Sequence, residues 1–465
     1  MGFRVGLAGL SLIAAGCVAV VDERDGEAVS TTPAASETPY TYPDPPVVGG
    51  NATPAATSLF GEIVEDLSLG RYPPGQLDEF VAAGDARHAW LISDLLRFSA
   101  QPDELDRLVA AFVDLTGLDP TADPAFAQSP WKSVTDHLIA WDLPEPPDYR
   151  EMKGRLFTLV EPRWAPFFAD ADAAIDWRWV SWGGVLIDDR PLGATESCRL
   201  GCIPALDDPA LTDAAGGDWY PDDAIVFGIV EGDAFVALPK NIMEIHEMVN
   251  MTIGGRRFGI PYCTLCGSAQ AYFTGLVPEG VDVPVLRTSG LLSRSNKMMY
   301  DLTTMSMFDT FTGAAVSGPL QDAEVVLEQG TVAVTRWGEW KAAHPDTRII
   351  AEDGGIGRSY DLDPLRGRDD AGPIFPTGDV DPRLPVQEPV VGVITDDGSP
   401  VAFPAGAARD ALASGDKVVE AGVELFDDGG GLRARTADGL DVAAHEAFWF
   451  AWSQFHPDTV LWAPG

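Results

Sequence analysis

The chain has 465 residues, with 71 acidic against 31 basic and a formal charge of −40 at pH 7. A field of that sign repels nucleic acid and anionic head groups, which excludes nucleic-acid binding as an expected role and reads as solubility. The length and an apolar content of 46% allow two or three domains with a sizeable core, and exclude a disordered chain.

Residues 1–16 read as a lipoprotein-type signal peptide. Arg4 supplies the positive charge, Val5 to Ala15 is an apolar run too short to span a bilayer, and Ala14-Ala15-Gly16-Cys17 resembles a lipobox. Cys17 is then the expected lipidation site, placing the protein in the cell envelope, outside the cytoplasm and lipid-anchored to the membrane. Residues 17–58, rich in Ser, Thr, Pro, Ala and Gly, cannot bury a core and read as a flexible tether.

Residues 59–175 carry apolar positions three and four apart, as in Leu59, Ile63, Val64 and Leu67, and predict an all-helical domain. Asp103 and Glu104 mark a helix start and Gly117 a stop. His88, His137 and the aromatic residues of this region read as packing. A protein partner for the helical domain is one expectation. From Trp177 to Ile187 the pattern becomes strand-like and opens a β-rich domain, residues 176–351. Within it, Ile225–Val230 and Ala234–Leu238 predict a hairpin, Asn241–Asn250 a helix, and Gly254-Gly255 a turn joining Met251–Ile253 to Arg256–Ile260. Short strands follow at Val285–Arg287, Met298–Tyr300 and Met305–Phe308. Residues 352–388 form a long polar connection.

Residues 389–465 partly repeat the first β segment. Trp337, Trp340 and His344-Pro345-Asp346-Thr347 recur as Trp449, Trp452 and His456-Pro457-Asp458-Thr459. Upstream, Gly228 with Ala237 matches Gly392 with Ala402. The second copy is about fifty residues shorter between these markers, and the missing part is where a Cys-x-x-Cys motif stands in the first. The fold class is therefore α+β, an N-terminal helical domain followed by a mostly β domain with a partial internal duplication.

That motif is Tyr262-Cys263-Thr264-Leu265-Cys266-Gly267-Ser268, and His246 lies upstream of it. Two thiols at this spacing can cycle between dithiol and disulfide, bind a soft metal such as copper or zinc, or form a static disulfide, the default outside the cytoplasm. The metal alternative takes Cys263, Cys266 and His246 as ligands, with Met298 or Met299 as possible thioether donors. The static alternative makes the protein a binding or scaffold protein with a structural Cys263–Cys266 bond. Cys198 and Cys202 read as a private disulfide or a satellite pair. Hydrolase motifs are missing: His246-Glu247-Met248-Val249-Asn250 ends in Asn where a zinc-binding helix needs a second His.

These residues also carry a family resemblance. His246-Glu247-x-Val249-Asn250, the Tyr262–Ala269 segment with Ser268, Ser289-Gly290-Leu291-Leu292, Asn296-x-x-Met299-Tyr300-Asp301 and the Trp and His-Pro-Asp-Thr segments resemble the uncharacterised bacterial family catalogued as domain of unknown function 3179. The resemblance runs from about Gly201 onward. Met251 stands where that family usually has Asp, and Thr264 where it usually has Pro. The family supplies no activity, so whether the protein is an enzyme stays open.

Overall fold

The computed structural model describes residues 40–52, 54–198, 201–368 and 372–464. The signal-like segment, Cys17 and most of the tether lie outside the described residues. The chain divides into two units, one holding the described residues up to Val185 plus Ile374–Asp379, the other Leu186–Pro373 and the residues from Val380. The first is helical and the second β-rich.

The helical unit is built from Pro54–Ser68, Pro74–Ala83, Ala89–Phe98, Pro102–Thr116, Pro130–Ala140, Tyr149–Val160 and the short Ala165–Ala169. Prolines start several of these helices, where a missing N–H costs nothing. Gly117 ends Pro102–Thr116 in the left-handed conformation at φ 74°, as its position predicts. The apolar stripes of Phe60, Phe80, Leu91, Leu108, Phe112 and Phe157 meet in the core. His88 and His137 are fully buried. The segment Ile374–Asp379 joins this unit because the Asp136 carboxylate accepts from Thr377 N at 2.6 Å and Gly378 N at 2.8 Å.

The β-rich unit consists of small sheets in a propeller-like ring of five blades. Two of them share one design. In the first, the strand order is Ala333–Arg336, Ile225–Glu231, Ala234–Pro239, Arg348–Ile350, with Leu211–Asp213 added at the edge. In the second it is Ala444–Phe448, Pro389–Ile394, Pro400–Pro404, Val460–Leu461. Gly228 pairs with Ala237 and Gly392 with Ala402, so the matched sequence markers sit at equivalent register positions. Both outer strands run parallel to their neighbours. Helices Trp337–Ala343 and Trp449–Phe455 lie on the two sheets, and each buries a Trp whose Nε1 donates to a Thr hydroxyl at 2.8 Å, Trp340 to Thr347 and Trp452 to Thr459. Gly228 and Gly392 are required there, because a Cβ at either would overlap the Trp340 or Trp452 ring.

Several predicted boundaries move, among them the start of the helical region, since Pro54–Ser68 begins inside the stretch read as tether. The helix expected over Asn241–Asn250 spans Lys240–His246 and stops at Glu247, in the left-handed conformation at φ 49°. Met248–Ile253 is a strand, because Val249, Met251 and Ile253 alternate into the core. The run from Trp177 begins as a tight turn of three residues and is a strand only over Val180–Trp182. In the shorter of the two similar segments, four strands between Val418 and Val442 form a sheet of their own.

Candidate functional site

Strand Arg256–Cys263 ends at the first cysteine, a single tight turn covers Thr264–Cys266, and Gly267 at φ 59° reverses the chain so that Ser268 pairs with Cys263. Both thiols are free, with exposures of 3% for Cys263 and 0% for Cys266. Burial pushes both thiols up. The Cys266 S–H hydrogen-bonds to the Cys263 sulfur, and with the Lys297 ammonium this brings Cys263 below the ordinary thiol value despite the nearby Glu247 carboxylate. Cys266 is left well above it. Cys263 is thus the sulfur that ionises first; while it is protonated, the Cys266 S–H donates to the Ser295 carbonyl, 3.3 Å from the Cys266 Sγ.

Lys297 and Glu247 frame the thiols. The Lys297 Nζ lies 3.1 Å from Glu247 Oε2 and donates to the carbonyls of Glu247 at 2.5 Å and Tyr262 at 3.3 Å. Thr264 donates its hydroxyl to Glu247 Oε1 at 3.2 Å. Beside this pair, Ser268 Oγ, Ser295 Oγ and both amide atoms of Asn296 are buried with no hydrogen-bond partner among the described residues. Sequence reasoning passed over Lys297 and Glu247. The available signal was a lysine opening the otherwise apolar Met298-Met299-Tyr300 of a strand.

The other expected residues fall in different places. His246 sits at its helix end with both nitrogens engaged: Nδ1 lies 2.7 Å from the Pro204 carbonyl and Nε2 2.8 Å from the Tyr360 hydroxyl. A carbonyl can only accept, so Nδ1 carries the proton and Tyr360 donates to Nε2. Burial, with Arg358 and Arg190 nearby, lowers His246 to about 4, so it is neutral. It forms no group with Cys263 and Cys266 in which all ligand atoms lie within 4.8 Å of one another. Met299 packs in the core with Met248, Tyr272 and Phe308. Met298 is buried, and its carbonyl accepts from Ser289 Oγ at 2.6 Å. Asn250 bridges Asp207 and both backbone groups of Leu286, the Tyr300 hydroxyl donates to the Asp188 carbonyl at 2.7 Å, and Asp301 accepts from Val285 N at 2.8 Å. Tyr262 packs on Phe227 with ring centroids 4.8 Å apart.

Cys198 and Cys202 form a disulfide. Only with that bond reduced would the two thiolates and Asp188, whose ligand atoms lie within 4.8 Å of one another, make a metal-binding group. The Asp188 carboxylate is fully buried and already accepts from Arg190 at 2.7 and 2.9 Å and from Ala205 N at 2.7 Å. The cavity among Trp90, Asp94, Arg97 and Lys153 in the helical unit measures about 10 Å³, room for one water. No helix among the described residues is long and apolar enough to cross a membrane.

Comparison with known proteins is sparse. No curated protein and no solved structure matches the chain. One family model, described as a protein of unknown function (DUF3179), matches residues 200–440, which include the thiol motif and the first Trp–His-Pro segment. That span is just over half of the chain, and the protein belongs to this family.

Proposed function

We propose that Cys263 and Cys266 are the functional centre of an envelope protein tethered by a lipid on Cys17, and that they hold a soft monovalent ion, copper(I) first among the candidates. The observation carrying this reading is the convergence of two free, buried thiols beside an ammonium, with no third Cys, His, Asp or Glu completing the group among the described residues. Zinc calls for four ligands, whereas copper(I) accepts two thiolates. Two thiolates around copper(I) leave one net negative charge, which the Lys297 ammonium partly offsets. His246 drops out of the ligand set because both its nitrogens are engaged. The burial suits an ion better than a protein disulfide, which would need an exposed sulfur to attack.

A second reading, a dithiol–disulfide couple, is favoured by the unequal acidity of the two thiols. The two similar sheets are consistent with a duplicated ancestral unit, of which only the first copy gained the thiol segment. Metal content and a free-thiol count, on wild type and on Cys263→Ser, test the centre. Near-stoichiometric copper lost in the variant supports the ion reading. Absence of metal together with two titratable thiols that oxidise reversibly favours the couple. Absence of both, even after reduction and copper(I) addition, leaves a structural disulfide in a scaffold protein.

A further inference from the structure

A cavity of about 320 Å³ opens on the β-rich unit, lined among others by Arg190, Ser197, Pro204, His246, Gly357 and Arg358. Its size falls at the small end of the range for small-molecule sites, about 300–1,000 Å³. Its walls are held from two sides. One wall is the segment from Ala194 to Ser197 with Pro204 and Ala205, held to Asp188 through Arg190 and Ala205 N. The other is the Ile356–Arg358 turn, anchored two residues on by the Tyr360 hydroxyl on His246 Nε2.

The two guanidinium groups differ. Arg190 is spent on Asp188 and on the carbonyls of Ala194, Glu196 and Ala205, so it contributes field rather than free donors. The Arg358 guanidinium lies over the Tyr360 ring, 5.5 Å from its centroid, and makes no hydrogen bond or ion pair among the described residues. Burial is the main reason His246 stays neutral, with both arginine charges acting in the same direction and Asp188 against it; both arginines line the cavity together with His246. In a chain of net charge −40, a cavity with a free guanidinium is a local exception. The one carboxylate on its lining, Glu196, is exposed at the rim. A planar guanidinium with open N–H groups selects an oxyanion, bidentate where it can.

We propose that this cavity binds a small oxyanion, a carboxylate or phosphate, with Arg358 as its principal contact and the Ala194–Ser197 segment as its facing wall. No residue of the Tyr262–Ser268 motif lines the cavity, and His246 serves it by holding Tyr360 and hence Arg358 in place.

The test is isothermal titration of the full chain with two probes, malonate and inorganic phosphate, at constant ionic strength with chloride as the balancing ion. The variants are Arg358→Gln, Arg358→Lys, Ser197→Trp, which narrows the mouth while leaving both arginines, and Arg107→Gln, an exposed arginine of the helical unit. Thermal unfolding confirms that each variant is folded. Binding of either probe that weakens at least tenfold in Arg358→Gln and Ser197→Trp, less in Arg358→Lys, and stays unchanged in Arg107→Gln supports the site. Preference for malonate or for phosphate identifies the source. No binding of either probe to wild type, or equal weakening in Arg358→Gln and Arg107→Gln, overturns it. So does undiminished binding in folded Arg358→Gln.

Discussion

Replacing Lys297 with Met is the most informative single change at the thiol centre. The Lys297 side chain is 3% exposed and that of Glu247 8%, and their charged atoms are 3.1 Å apart. At an effective dielectric of about 20 the attraction is roughly 5 kcal/mol before desolvation. Removing the lysine leaves the Glu247 carboxylate buried without its counter-ion and strips a donor from the Glu247 and Tyr262 carbonyls. Breaking one side of a buried pair costs about 3–5 kcal/mol. The double variant Lys297→Met/Glu247→Gln leaves no uncompensated charge and should recover at least half of that loss. Urea unfolding reads the stability. The same single variant should move the thiolate absorbance of Cys263 to higher pH, because the ammonium lowers that thiol. A loss below about 1 kcal/mol, or an equal loss in the double variant, would refute the buried-pair reasoning. An unmoved thiolate midpoint would refute the coupling to Cys263.

Other changes probe the frame and its titration. Gly392→Ala and Gly228→Ala should each cost about 1–3 kcal/mol in urea unfolding, because the new methyl meets an indole in a packed core. Asn250→Ala should cost about 1–3 kcal/mol, since the Leu286 N–H and carbonyl lose their buried partner. Stability should also fall with acid. Burial lowers His246 to about 4, His445 to about 3 and His456 to about 4. The unfolded chain takes these protons near pH 6.5, so between about 6.5 and 4 it binds more protons than the native state and is favoured as pH drops. Asp309 and Glu446, whose carboxyls burial raises, oppose the trend at the acid end. Urea midpoints measured across this window check the sign, and a midpoint that rises on acidification from 6.5 to 5 contradicts it.

The frame was legible because its determinants are local and repeated. Gly228 and Gly392 each face a Trp three residues into a helix, and the Trp-x-x-Trp and His-Pro-Asp-Thr spacings that encode this recur in order. The helical stripes and the Gly254-Gly255 turn were legible for the same reason. The end of the helix before Glu247 was not, because a non-glycine residue in the left-handed conformation leaves no signal in composition. The partners of Cys263 were also hidden. Lys297 reaches Glu247 across a long stretch of sequence, and nothing in either segment's pattern reports that pairing. His246 misled for a converse reason: its closeness to the cysteines in sequence does not say where its ring points, which is toward Pro204 and Tyr360.

The two similar sheets bear on whether the thiol centre is scaffold or function. Each carries the same strand order, the same glycine under a Trp and the same indole–threonine hydrogen bond. The second completes its design with a sheet between Val418 and Val442 and an apolar cluster of Val391, Phe403, Leu425 and Leu432. Between Val418 and Val442 this part buries no charged side chain, and the one buried carboxylate on the adjoining strand, Glu446, is paired with Arg409. In the first, the corresponding insertion buries Glu247, Lys297 and two free thiols and leaves Ser268, Ser295 and Asn296 without partners. Each of these is costly to bury, and a well-packed apolar set of the same volume would stabilise at least as well. Folding alone does not account for that choice, whereas a centre that must hold a thiolate beside a fixed positive charge does.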